Sequence, residues 1–200
     1  MANASWDSID GRLRRLPRPV RIGTDWAVTI LAAVAVVLAL KTWIVTPYRI
    51  PSSSMEPTLH CARPSTGCRA RFADRLLACR ACYWFSSPTR GDIVVFTAPA
   101  HACGVGGTFV KRLIGLPGDT VVERRGRVYV DGKRLNEPYV QPGDRDDRSG
   151  TWPVGPGRYF LMGDNRVESC DSRDWGTIPR GSIIGKAVLI YWPPGRIGVP

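Results

Sequence analysis

The chain has 200 residues, which is enough for one domain of ordinary size and an additional segment. With 44% hydrophobic residues, 21 glycines and 17 prolines, the composition predicts a body of strands and turns and argues against a disordered chain or a helical bundle. The formal net charge of +11 could indicate nucleic-acid binding, but the arginines are scattered and no recognition-helix or zinc-finger spacing is present. We therefore expect no nucleic-acid partner, and a basic surface that is solvated or faces anionic lipid.

The first predicted element is a membrane-spanning helix at residues 26–45, with the sequence WAVTILAAVAVVLALKTWIV. As a helix it would be about 30 Å long, which matches the hydrocarbon thickness of a bilayer. Trp26, Trp43 and Tyr48 lie near its ends, where aromatic rings favour the interface. We expect an uncleaved anchor, because the segment is long for a signal peptide and no clear small-residue cleavage site follows it. A cleavable signal peptide remains the alternative, and a buried core helix explains the flanking arginines poorly.

The direction of the anchor follows from the charges on its two sides. Five arginines precede it: Arg12, Arg14, Arg15, Arg18 and Arg21. Only Lys41 and Arg49 lie at or just beyond its far end, so the positive-inside rule places the N-terminus in the cytoplasm. The expected organisation is a basic cytoplasmic segment at residues 1–25, the anchor, and an extracytoplasmic β-rich domain at residues 46–200.

After the anchor comes a turn rich in proline and serine, residues 48–59 (YRIPSSSMEPTL), in which Pro51 and Pro57 prevent a continuous helix. A stretch rich in cysteine and arginine follows, up to about Thr89. The rest of the chain alternates apolar runs with turns that contain glycine or proline, a pattern typical of antiparallel strands. The predicted strands are 92–96, 108–115, 128–130, 133–135, 157–162 and 183–192, with a turn at 116–119 and a loop at 163–176.

Few residues could support catalysis. The two histidines, His60 and His101, lie in loop-like surroundings that contain cysteine, which disfavours a Ser-His-Asp triad. A serine nucleophile still needs a base, and arginine cannot serve because it is always protonated. Of the four lysines, Lys111 lies in the apolar strand sequence FVKRLI, where burial would lower its pKa. On its own this is weak support, because a lysine in a strand usually faces solvent.

Four segments of the sequence resemble the ordered motifs of type I signal peptidases. They are PSSSMEPTL (51–59), RGDIVVF (90–96), FVKRLIGLPGDTV (109–121) and GDNRVESCDSRDWG (163–176), and the closing GKAVLIYWPPGRIG (185–198) is similar as well. The resemblance runs in the same order from the anchor nearly to the C-terminus, so it is more specific than any single motif. It implies a mainly β fold, a largely antiparallel catalytic domain behind one N-terminal transmembrane helix. The implied activity is the removal of signal peptides from exported precursor proteins, by cleavage after small residues at −1 and −3.

The resemblance also implies roles for individual residues. Ser54, which precedes Met55, corresponds to the nucleophile, and Lys111 corresponds to the general base of a Ser-Lys dyad. Ser52 corresponds to the hydroxyl that completes the oxyanion hole together with the backbone N–H of Ser54.

The fourth segment supplies the remaining candidate residues. Ser169 corresponds to the serine that orients the lysine amine, and Asp171 and Arg173 correspond to a polar pair that supports the site. We expect a monomer that needs no cofactor and no metal, with precursor proteins and membrane lipids as its partners.

This chain departs from the family pattern in two regions. The stretch between the third and fourth segments is short, so the accessory β-domain of some members is absent or reduced to a hairpin at residues 128–140. The insert between Leu59 and Arg90, rich in cysteine, has no role that the resemblance assigns.

The six cysteines favour disulfide bonds, because the domain that carries them is expected outside the cytoplasm. Cys61 and Cys68 enclose a short loop and are natural partners, the resemblance implies a bond between Cys103 and Cys170, and Cys79 and Cys82 form a third pair or stay reduced. The alternative is a zinc site built from the first four cysteines of the chain. Only one CxxC knuckle is present, and the expected compartment is oxidising, so disulfides are favoured.

Two other functions remain open. A different Ser-Lys hydrolase, such as a self-cleaving repressor protease or a penicillin-binding enzyme, would share the dyad, although the S-x-x-K, S-D-N and K-T-G set is absent. A catalytically silent membrane scaffold is the alternative without enzyme activity. The presence of Ser52, Ser54, Lys111 and Ser169 in one chain argues against the scaffold.

Overall fold

The long N-terminal helix and the β-rich remainder belong to two compact units in the computed structural model, which describes residues 17–104 and 106–200. The first unit ends at Trp43 and the second is Ile44–Pro200. Of the arginines predicted to fix the orientation of the anchor, Arg12, Arg14 and Arg15 lie outside the described residues.

Helix α1 spans Arg18–Ala39 and continues as a π-helical turn, Leu40–Ile44. The part Ile22–Ile44 has a mean hydropathy of 2.2 and is not buried, so it is long and apolar enough to cross a membrane. The helix begins before Trp26, where the predicted anchor starts, and it ends before Val45, which already belongs to a strand.

Eleven strands occur among the described residues. In chain order they are β1 (Val45–Arg49), β2 (Arg75–Cys79), β3 (Ile93–Ala98), β4 (Gly107–Gly115), β5 (Thr120–Arg124), β6 (Arg127–Val130), β7 (Lys133–Arg134), β8 (Gly150–Pro153), β9 (Arg158–Met162), β10 (Ile178–Pro179) and β11 (Ile183–Trp192). A short helix, α2, spans Ser172–Trp175. The strands form a larger sheet with the order β1-β2-β11-β3-β4-β9-β10 and a smaller one with the order β7-β6-β5-β8. All strand pairings are antiparallel, which confirms the predicted mainly β fold.

The larger sheet is covered on both faces. Along β3, Ile93 and Val95 belong to one apolar cluster, while Val94 and Phe96 belong to a second. Successive strand residues point to opposite faces, so each face of the sheet packs on its own cluster. This explains why the segment is a continuous apolar run and shows no alternation with polar residues.

The insert rich in cysteine is part of the sheet. Its strand β2 lies between β1 and β11, and Leu76 and Ala78 on this strand are fully buried. The sequence did not predict this strand, because its apolar residues are few and lie between arginines and cysteines. The insert therefore contributes to the core next to the strand that leads to Ser54.

The second sheet has four strands, whereas the sequence predicted only a hairpin at residues 128–140. Strands β6 and β7 form that hairpin, but β5 and β8 extend it to four strands. Its buried residues Val121 and Val128 pack in one cluster with Ile114 and Phe160 of the larger sheet. The two sheets thus share an apolar core near the end of β4.

Candidate active site

Ser54 lies in a single 3-10 turn, Ser53–Met55, a few residues after β1. The backbone N–H of Glu56 donates to the carbonyl oxygen of Ser53 at 3.0 Å, and the Met55 side chain is anchored in the apolar core. Ser54 is 7% exposed, and its Oγ is 3.3 Å from Oγ of Ser52. The hydroxyl of the buried Ser54 therefore lies beside that of Ser52, an exposed residue that directly precedes the turn.

Lys111 lies on β4, where it pairs with Val94 of β3, and it is only 3% exposed. The pKa of Lys111 is lowered to about 8. Burial is the largest cause, and the positive charge of Arg173 lowers this pKa as well. The charge of Asp171 acts in the opposite direction. Among the described residues, no carboxylate lies within ion-pair distance of the Lys111 amine. The amine is therefore much easier to deprotonate than that of a solvated lysine.

Ser54 and Lys111 line the same cleft, which has a volume of about 370 Å³. One part of the lining comes from residues 48–52 and another from residues 108–111 of β4. One cleft is therefore lined by a serine and by a lysine of lowered pKa, the two kinds of residue that a Ser-Lys dyad requires.

Both strands beside the cleft have an edge that no other described strand pairs with. In the described part of the chain, β1 is the edge strand of the larger sheet and pairs with β2. Strand β4 pairs with β3 along residues 107–112, whereas its pairing with β9 begins only at Arg112. Within the part of the chain that the structure describes, residues 107–111 thus lack a strand partner on one side. An extended peptide could pair with such edges.

Ser169 lies in the loop at residues 163–176 and is buried next to Asp171. Its Oγ donates a hydrogen bond to Oδ2 of Asp171 at 2.7 Å. The same carboxylate oxygen accepts the backbone N–H of Gly163 at 3.0 Å. Asp171 also caps α2, since its Oδ1 accepts the backbone N–H of Arg173 at 3.1 Å. One carboxylate therefore fixes both ends of the loop and the hydroxyl of Ser169.

The side chain of Arg173 binds both carboxylate oxygens of Asp171, with Nε 2.8 Å from Oδ1 and Nη2 2.9 Å from Oδ2. Burial tends to raise the pKa of Asp171, but the hydrogen bonds and the charge of Arg173 outweigh it and hold this pKa below its ordinary value. Arg173 also donates to Asp146 at 2.6 Å and lies 3.6 Å from Glu123. Glu123 is buried, and this burial raises its pKa to about 7.

The loop that carries Ser169 is attached to the turn that contains Ser54. The backbone N–H of Asn165 donates to the carbonyl oxygen of Ser54 at 3.1 Å. Since Lys111 is affected electrostatically by Asp171 and lines the cleft with Ser54, the predicted site residues converge on one region of the fold.

An ion pair that the sequence did not predict joins three of the quoted segments. Arg112, next to Lys111, donates to the buried carboxylate of Asp164 at 2.8 and 2.6 Å. Oγ1 of Thr58 donates to the same carboxylate at 2.6 Å. Charged residues usually indicate a surface, so only their position inside the quoted segments could have identified this pair.

The six cysteines form three disulfide bonds: Cys61–Cys68, Cys79–Cys82 and Cys103–Cys170. The four cysteines of the alternative zinc site are thus joined in pairs. The third bond connects the segment before β4 to the loop of Ser169, and both of its cysteines line the cleft.

Comparison with known proteins decides the family. Residues 23–192 match the family model described as signal peptidase, peptidase S26. The chain belongs to this family. It is 39% identical over 175 residues to a signal peptidase I of Leptolyngbya laminosa, covering 85% of this chain and 80% of that protein.

A signal peptidase I of Mycobacterium tuberculosis is 35% identical, covering 92% of this chain and 78% of that protein. A crystal structure of a signal peptidase I from Enterococcus faecalis is 34% identical, with a TM-score of 0.44, and covers 50% of this chain and 97% of that one. The family and the named relatives identify this peptidase as a hydrolase of the signal peptidase I type.

Proposed function

We propose that this signal peptidase is a membrane-bound serine endopeptidase that uses Ser54 as its nucleophile and Lys111 as its general base. The main support is a buried lysine, with its pKa lowered to about 8, that lines the same cleft as a buried serine. A lysine acts as a base only when a useful fraction of it is neutral, and burial provides that fraction near neutral pH.

The chemistry needs one proton to move twice in each half-reaction. Oγ of Ser54 attacks the carbonyl carbon of the scissile bond while the neutral amine of Lys111 takes the hydroxyl proton. The resulting ammonium then donates this proton to the leaving nitrogen, and an acyl-enzyme remains. In the second half, Lys111 takes a proton from water as the water oxygen attacks the acyl carbon, and the ammonium returns this proton to Oγ of Ser54 as the ester bond breaks.

Ser52 and the backbone N–H of Ser54 would bind the negative oxygen of the tetrahedral intermediate. Oγ of Ser52 lies 3.3 Å from Oγ of Ser54, so its hydroxyl is close to the point where that oxygen forms. We assign it to the oxyanion hole because a donor placed there stabilises the intermediate more than the neutral carbonyl group of the substrate.

Ser169 would orient the amine of Lys111. The hydroxyl proton of Ser169 is donated to Asp171, so its oxygen lone pairs are free to accept a hydrogen bond from the amine. The amine would then direct its own lone pair toward Ser54. Asp171 and Arg173 have a supporting role, because they hold the Ser169 hydroxyl and the loop in place.

The substrate would bind as an added strand between residues 49–52 and residues 108–111, which line the cleft from two sides. In an extended peptide, the side chains at −1 and −3 point the same way, so one shallow wall can test both. The expected substrates are signal-peptide-bearing precursor proteins with small residues at these two positions.

The helical segment would anchor the peptidase as a single span. We infer that residues 1–25 are cytoplasmic, residues 26–45 cross the membrane, and residues 46–200 form the extracytoplasmic peptidase domain. The apolar, unburied stretch Ile22–Ile44 supports the anchor, and the arginines before it support this orientation. The partners are then precursors and membrane lipids, with no nucleic acid and no cofactor, and the peptidase would act as a monomer.

Cleavage of a precursor by the full chain in detergent tests this function. The wild-type chain should release the signal peptide at a site that follows small residues at −1 and −3, whereas Ser54→Ala should release none. Absence of cleavage by the wild-type chain, on precursors with different signal peptides, would favour the membrane scaffold.

A further inference from the structure

A second groove, with a volume of about 520 Å³, adjoins the cleft of Ser54 and Lys111. Cys103, Glu168 and Cys170 line both cavities, so the disulfide bond and the glutamate form their common boundary. A peptide that leaves the cleft at this boundary would enter the second groove. The groove is therefore placed to bind a part of the substrate that lies outside the cleft.

Of the described charged residues that line this groove, Glu168 is the one without an ion-pair partner. Arg148 and Asp174, which both line it, form an ion pair at 2.9 Å, and Arg148 lies 3.5 Å from Asp146. His101 is the remaining titratable group of the lining. Glu168 is exposed, and among the described residues no cation lies within ion-pair distance of its carboxylate.

The backbone of Glu168 has a fixed position relative to the nucleophile. Its N–H donates to Oδ1 of Asn165 at 3.3 Å, and the N–H of Asn165 donates to the carbonyl oxygen of Ser54 at 3.1 Å. The next two residues, Ser169 and Cys170, are held by burial and by the disulfide bond. Two hydrogen bonds therefore connect the backbone of Glu168, through Asn165, to the carbonyl oxygen of Ser54.

We propose that the second groove extends the substrate-binding cleft and that Glu168 selects for a basic side chain in the bound precursor. This rests on the proposed function of Ser54 and Lys111. A carboxylate that no described cation neutralises attracts a nearby lysine or arginine of the substrate and repels an aspartate or glutamate. An exposed ion pair of this kind changes kcat/KM by about two- to fivefold, and salt weakens it.

A peptide scan tests this proposal. Peptides with alanine at −1 and −3 carry lysine at one position at a time, on either side of the scissile bond, and each is compared with the same peptide carrying glutamine there. At one position or at two adjacent ones, the wild-type chain should cleave the lysine peptide about two- to fivefold faster than its glutamine partner. Glu168→Gln should reduce this ratio to about one, and Glu168→Lys should invert it.

Asp131→Asn is the matched control, because it also removes one negative charge but lies in the turn between β6 and β7 and lines neither cavity. Its lysine-to-glutamine ratio should equal that of the wild-type chain. The proposal is wrong if the wild-type chain shows no lysine preference at any position. It is also wrong if Glu168→Gln keeps the preference, or if Asp131→Asn loses it to the same degree.

Binding of the same peptides to Ser54→Ala, measured by fluorescence anisotropy, separates this proposal from the proposed function. A lysine preference in binding that Glu168→Gln removes supports the groove even if the wild-type chain cleaves no peptide. Equal binding of lysine and glutamine peptides, together with normal cleavage, contradicts the role of Glu168 and leaves the dyad intact.

Discussion

Gly163 lies so close to the carbonyl oxygen of Ser54 that no side chain fits at this position. A Cβ atom added to Gly163 would be 2.4 Å from the carbonyl oxygen of Ser54 and 2.3 Å from Oγ of Ser169. Because the backbone of Ser54 cannot move without moving its hydroxyl, this contact fixes the distance between Ser54, the proposed nucleophile, and the loop that carries Ser169.

Gly163→Ala should therefore disrupt the site. We expect at least a tenfold loss of kcat/KM and a decrease of about 1–3 kcal/mol in the free energy of unfolding, because the added methyl group must displace backbone atoms. Peptide cleavage and urea denaturation in detergent measure the two effects. Gly181→Ala is the control, since a Cβ atom there meets no atom within 4 Å. Wild-type activity in Gly163→Ala would contradict the close contact.

Replacement of either member of the proposed dyad should abolish cleavage while the fold persists. Ser54→Ala removes the nucleophile, and Lys111→Arg keeps a positive charge that cannot give up its proton. The circular dichroism spectrum should show the strands intact in both variants. Lys133→Arg, a change at an exposed lysine of the smaller sheet, should cleave at the wild-type rate. Near-normal turnover by Lys111→Arg would remove Lys111 as the base.

The residue at −1 should control cleavage through the shallow wall of the cleft. A peptide with phenylalanine at −1 should be cleaved at least a hundredfold more slowly than its alanine counterpart, because the ring would clash where the methyl group fits. Competition between the two peptides in one reaction gives the ratio of kcat/KM directly. Equal cleavage of both would show that residues 49–52 and 108–111 do not bind the substrate as proposed.

The three disulfide bonds should differ in how much they stabilise the fold. Cys103–Cys170 closes a loop with a sequence separation of 67, whereas Cys79–Cys82 has a separation of 3. On loop entropy alone, the double serine variant of the first pair should lose about 4 kcal/mol and that of the second about 2 kcal/mol. Urea denaturation under oxidising conditions compares them, and an equal loss in both would contradict the entropic explanation.

The strands that the sequence predicted well are those with continuous apolar runs. Residues 183–192 form β11 as predicted, and residues 108–115 differ from β4 by a single residue, because both segments are buried by neighbours on the sheet. Strand β1 was missed because it directly follows the apolar helix and contains Pro47, which is tolerated at a sheet edge. Strand β2 was missed because its burial depends on the strands that lie on either side of it.

The candidate site was predicted by resemblance more than by composition. Nothing local in the sequence shows that Lys111 is buried, since the same pattern suits a solvent-facing lysine. Pairs of charged residues distant in sequence, such as the buried Arg166 with Glu137, depend on tertiary contacts that no periodicity reveals. The hydrogen bond from the backbone N–H of Asn165 to the carbonyl oxygen of Ser54 also depends on a tertiary contact that no local pattern reveals.

In any pH study, the titration of a second group near the site must be distinguished from the titration of Lys111. Glu123 is buried, lies 3.6 Å from Arg173, and has a pKa raised to about 7. Glu123→Gln removes this titration, so the same pH dependence in this variant and in the wild-type chain would assign the inflection to Lys111.

The pH dependence of kcat/KM, with a peptide that has no titratable group, tests the central claim most directly. Because burial lowers the pKa of Lys111 to about 8 and only the neutral amine can accept a proton, activity should fall as the pH drops below this value. We expect an apparent pKa near 8 and a plateau above about pH 9. A rate that rises without a plateau up to about pH 10 would mean that Lys111 titrates as a solvated amine and is not a base of lowered pKa.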